Sequence, residues 1–211
     1  MDFPKALILI VFAGLIAYHL YRKKKRKSRQ HLIDSYQFPA AIARKVMEKY
    51  PHLSEHQAAL VMDGLRTYFH IANSAGKKMV SMPSQVVDVA WHEFILFTRE
   101  YSHFCNRALG RFLHHIPAEA MESPTRAQSG IKSAWALCCQ RENILAHEPT
   151  RLPVLFALDA ALEIPDGFRY TLDCTTSAGS SFCASHIGCA TGPNTKYERD
   201  IHSCGGEQIA R

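Results

Sequence analysis

The chain has 211 residues, 47% of them apolar and 21% charged, which suits one domain with a real core plus appendages and excludes a disordered polymer. Its net charge of +6 does not point to nucleic acid, because eight of the 25 basic residues fall in the first 31 positions against a single acid, Asp2. The rest carries 17 basic and 18 acidic residues, 25 less 8 and 19 less 1, so no basic groove able to neutralise several phosphates is indicated.

Residues 1–31 read as an anchor. Ala6 to Tyr18 carries no charge, and Leu20 and Tyr21 extend the apolar run past His19. As a helix, Phe3 to Tyr21 spans roughly 28 Å, against a bilayer core of about 30 Å, if Lys5 snorkels outward. Seven cations follow in eight positions: Arg22, Lys23, Lys24, Lys25, Arg26, Lys27 and Arg29. A cleaved signal peptide has its charge before the apolar core, so this order predicts a retained transmembrane helix. The positive-inside rule then puts the N-terminus outside and the domain in the cytoplasm. The same block would attract anionic lipid headgroups, making the bilayer the expected partner.

Residues 32–174 read as a mainly α cytoplasmic bundle of about five helices. Pro39 to Tyr50 places Ile42, Val46 and Met47 on one side and ends at Pro51. Ser54 with Gln57 is a capping box opening a helix whose Ala58, Val61, Met62, Leu65, Phe69 and Ala72 recur at helical spacing. Ser84 to Ala108 reads as one long helix, apolar around most of its circumference and therefore expected in the middle of the domain, stopped near Gly110. A further helix begins near Ser123-Pro124 and runs through Trp135 towards Ile144, and another covers Pro153 to Leu162 before a turn. Residues 175–211, rich in Ser, Thr, Gly and Cys, lack apolar periodicity and read as a loose tail.

The stretch from Met82 to Pro117 concentrates residues that bind metals or move protons: Asp88, His92, Glu93, Cys105, His114 and His115. Asp88 and His92 are four apart, one turn on one helical face, where a carboxylate can orient an imidazole. His92 and Cys105 are thirteen apart, about 20 Å along a continuous helix, and cannot share one metal unless that helix breaks. A reversal at Gly110 would return His114 or His115 towards Cys105 and make half of a zinc site there. The bland alternatives are a structural hydrogen-bond network or a solvated stripe of Asp88, His92, Arg99, His103 and Asn106. Cys105 lies towards the C-terminal end of its helix, where the macrodipole disfavours a thiolate, and reads as a core residue rather than a nucleophile. The tail adds the weaker candidates Cys183, His186, Cys189, His202 and Cys204, without the Cys-x-x-Cys of a zinc knuckle.

Val87-Asp88-x-x-Trp91-His92, Tyr101-x-x-Phe104-Cys105 and His114-His115, with Leu-Pro-x-Leu-Phe-Ala-Leu-Asp at Leu152 to Asp159, resemble an uncharacterised bacterial family related to the glycine-rich domain-containing proteins, over about Tyr36 to Cys174. With the anchor, a bacterial family puts the expected location at the inner membrane, and the resemblance supports the domain as a unit. It implies no activity. The expected function is a membrane-tethered binding or scaffolding module, with zinc as the candidate metal and a protein as a further candidate partner. The alternatives are a metal-assisted hydrolase using His92 with Asp88 or Glu93, and a purely structural partner-binding protein.

Overall fold

A computed structural model describes residues 3–115, 124–172 and 182–183, with side chains described over 10–115 and 129–172. Within these residues the fold is mainly helical: α1 (Phe3–Ser35), α2 (Ala40–Lys49), α3 (Glu55–Ala75), α4 (Gln85–Leu96), α5 (Thr98–Phe104), α6 (Pro124–Glu142) and α7 (Val154–Ala161). A π-helical turn, Cys105–Leu109, continues α5. Tyr170–Thr171 (β1) pairs in parallel with Phe182–Cys183 (β2), Thr171 opposite Cys183.

The centre of the domain is α3, not the helix that follows it. Ser54 caps α3 as expected: its Oγ accepts from Gln57 N while the Gln57 side chain accepts from Ser54 N. Ala58, Val61, Leu65, Tyr68, Phe69, Ile71 and Ala72 are all buried along it. Gly64 lets α4 and α7 approach closely, since a Cβ there would meet Val87 Cγ2 at 2.8 Å and Leu158 Cδ2 at 3.0 Å. Phe38, Phe69, Phe94 and Phe104 form an aromatic cluster under α4 and α5, with Tyr36 against Phe104 at 4.6 Å between centroids. Each such pair adds about 0.5–1.5 kcal/mol beyond simple burial.

The N-terminal expectation requires correction. Among the described residues no helix is long and apolar enough to cross a membrane, so the single-pass transmembrane anchor is not supported. The membrane character, the bacterial inner-membrane location and the outside-to-cytoplasm topology built on that anchor are not supported either. The helix does not end at the cationic block but passes through it and docks on the domain. Ile33 is fully buried, Arg26 Nη2 donates to Ser74 Oγ at 3.0 Å, and Arg66 donates to the carbonyls of Ile33, Asp34 and Tyr36. Part of the basic block therefore faces protein.

The long helix expected from Ser84 to Ala108 is broken. At Phe97 ψ swings to 60°, ending α4 and starting α5 in a new direction. The N-terminus of α4 is held from α7: Asp159, only 2% exposed, accepts from Ser84 Oγ, Gln85 N, Val86 N and Phe168 N at 2.7–3.1 Å. A carboxylate facing the first turn of a helix satisfies its orphan N–H groups and opposes its dipole.

Candidate metal centre

The site is built from α4 and the extended segment after the π-turn. Asp88 and His92 lie one turn apart on α4, with His92 Nδ1 3.7 Å from Asp88 Oδ2. The π-turn closes with Gly110 N donating to Cys105 O at 3.0 Å. Gly110 itself is left-handed, φ 70°, and the Arg29 guanidinium fills the space a Cβ would need. This reversal returns residues 111–115 to α4, with Leu113 buried between exposed Phe112 and His114. Alternation then returns His115 to the inner side, where its Nε2 is 3.1 Å from Asp88 Oδ1 and its Nδ1 is 3.3 Å from His92 Nε2.

Asp88, His92 and His115 each offer a ligand atom, and these atoms all lie within 4.8 Å of one another. A tetrahedral zinc with ligands at 2.0–2.2 Å sets its donors roughly 3.4 Å apart, so small side-chain rotations suffice to converge the three. The Asp88 and His115 side chains are 21% and 15% exposed, whereas that of His92 is 50% exposed. The group is thus anchored at its base and open to solvent on one side. With the proton of His115 on Nε2 it donates to Asp88, leaving Nδ1 to accept from His92 Nε2–H. A metal held by the three donors would take the place of these hydrogen bonds, with each imidazole neutral.

The sequence candidates separate cleanly. Asp88, His92 and His115 come together. His114 lies on the opposite side of its segment, its ring 4.8 Å from that of Phe112. Glu93, although next to His92, lies outside the group. Cys105 is fully buried in the core, and burial pushes its thiol pKa up, so the half-site expected of Cys105 with His114 or His115 does not form. Cys138 and Cys139 are also buried, with Cys139 raised to about 11 chiefly by desolvation. Arg99, His103 and Asn106 line an open depression on α5 and the π-turn with Glu100 and Ser102, apart from the three donors. Of the tail candidates, only the backbone of Cys183 is described, in β2; His186, Cys189, His202 and Cys204 lie outside the described residues.

Two residues that frame the site were not singled out by donor type. The Trp91 indole packs edge-on against His115 at 4.7 Å, and its Nε1 donates to Tyr101 Oη at 3.1 Å. Period-two burial in Phe112-Leu113-His114-His115 is the signal that separates the two adjacent histidines.

The model of the UCP032817-like family matches residues 28–190, well over half of the chain and inclusive of all three donors. The chain belongs to the UCP032817-like family. The family region begins in the docking end of α1 and contains the domain from there to β2. No curated protein and no solved structure matches the chain.

Proposed function

We propose that this member of the UCP032817-like family is a metal-binding module whose divalent transition metal sits on Asp88, His92 and His115. One observation carries the reading: two histidines and a carboxylate from separate segments converge to within 4.8 Å. Two nitrogens and one oxygen suit zinc, cobalt or iron rather than calcium or magnesium. The expected relation of the family to glycine-rich domain-containing proteins, carried by the run from Met82 to Pro117, belongs to this proposal, and that run contains every donor.

The test is a titration of the full chain with cobalt and zinc, followed by calorimetry and by cobalt visible absorption. One metal per chain is expected, with uptake at least 100-fold weaker in His115→Ala and unchanged in Cys139→Ala. Absence of stoichiometric uptake overturns the reading. So does metal retained by a His92→Ala/His115→Ala chain but lost in Cys189→Ser, which would assign it to the tail.

A second reading, metal-assisted hydrolysis, is favoured by the exposure of His92, since three protein donors with an open side resemble catalytic rather than structural zinc sites. It is the weaker of the two. Asp88 is consumed as a ligand, and Glu93 stands outside the donor group, which among the described residues leaves no carboxylate general base beside it. Chelator-sensitive hydrolysis by the wild-type chain would raise it above the binding reading.

A further inference from the structure

We infer that Tyr101 is a positioning residue for the metal centre, acting through one buried hydroxyl tied to both ligand-bearing elements. The inference rests on the metal reading above. Tyr101 is 1% exposed. Its Oη accepts from Trp91 Nε1, on α4 next to His92, and donates to the carbonyl of Leu113, two residues before His115.

That hydroxyl is the polar joint between α4 and the returning segment at this level of the fold. The Trp91 ring it orients packs against the His115 ring, and the Leu113 carbonyl it holds sets the register of the extended segment. Register matters because burial alternates along this segment, with Leu113 buried and Phe112 and His114 exposed, so a slip of one residue would present His114 in place of His115. The joint is also enclosed, with Trp91 4% and Leu113 9% exposed, so water does not substitute readily for a lost partner. Tyr101 touches no donor atom and is not a ligand. It fixes where His115 stands relative to Asp88 and His92.

Removing such a supporting hydrogen bond typically weakens metal affinity about 10- to 100-fold. The experiment is a cobalt titration of full-length wild type, Tyr101→Phe and Tyr68→Phe. The last is a matched control, since Tyr68 is also a buried tyrosine whose ring packs on Trp91 at 4.8 Å and whose Oη donates to a backbone carbonyl, that of Val80 at 3.1 Å, but its hydroxyl bonds to neither α4 nor the segment that carries His115. Tyr101→Phe is expected to weaken cobalt binding by 10- to 100-fold and to alter the ligand-field absorption of what remains bound. Tyr68→Phe should lose stability without either change. Equal affinity and identical spectra in Tyr101→Phe and wild type overturn the positioning role alone, as does an equal loss in Tyr68→Phe. A wild-type chain that takes up no cobalt overturns the metal reading and this inference together. Should Tyr101→Phe fail to fold, Trp91→Phe removes the other partner of the hydroxyl: weakened binding is then expected, and unchanged binding overturns the role.

Discussion

Among the described residues His70 is the buried histidine, 2% exposed on α3, with Nε2 2.6 Å from Asp34 Oδ1 at the end of α1 and no partner on Nδ1. Burial lowers its pKa first and the nearby Arg141 charge second, with Asp34 opposing both. A histidine whose folded pKa is depressed contributes stability that is fully present above its unfolded value of about 6.5 and is lost as pH falls through the folded value. The thermal midpoint of the wild-type chain is therefore expected to fall between pH 7 and 5 more steeply than that of His70→Gln. Parallel pH profiles would show that another group carries the acid sensitivity. At this scale the sequence was informative about chemistry and poor about company. The four-residue spacing of Asp88 and His92 puts them one turn apart on α4, but the choice between His114 and His115 depended on an alternation of burial over residues 111–115 that only the folded chain shows.

Among the elements, α4 depends most on a distant group. Its first-turn N–H groups are met by Ser84 and by Asp159 from α7, and the carboxylate leaves four donors unsatisfied if removed. Asp159→Asn keeps the shape but turns one acceptor into a donor facing other donors. A loss of about 2–3 kcal/mol is expected, read as a lower urea midpoint with an unchanged slope. The caps and apolar faces of α2, α3, α6 and α7 were legible because they are local: Ser54 with Gln57, Pro124, and the spacing of Val46 or Leu65 need no tertiary information. The break at Phe97 was not legible. The run Phe94-Ile95-Leu96-Phe97-Thr98 contains no Pro or Gly, so nothing local marks it, and aromatic packing of Phe94, Tyr101 and Phe104 on both sides of the bend accompanies it.

For the whole molecule, the packing of α3 against α1, α2, α4, α6 and α7 predicts a core that shields its thiols. Cys105, Cys138 and Cys139 are each fully buried, and burial raises the pKa of all three. In native buffer, peptide mapping after exposure to a thiol alkylating agent should find these three unmodified, and all three should react together once denaturant passes the unfolding midpoint. Early modification of Cys138 or Cys139 alone would show that α6 opens independently of the core.

The sequence by itself determined that the domain is mainly helical, where most helices start, and that Asp88 and His92 share a face, because each follows from periodicity or capping within a few residues. It did not determine the fate of α1. Reading an apolar run and a basic block in isolation predicted a membrane anchor, whereas the described residues hold no helix long and apolar enough to cross a membrane, and α1 continues to a docking end held by Arg66 and His70. Only tertiary structure decided that His115, rather than Cys105 or His114, completes the donor group. The reason is geometric: a bend at Phe97, a π-turn and a left-handed Gly110 re-aim the chain between donors 23 residues apart, and the direction of a chain after three such turns is set by what it packs against.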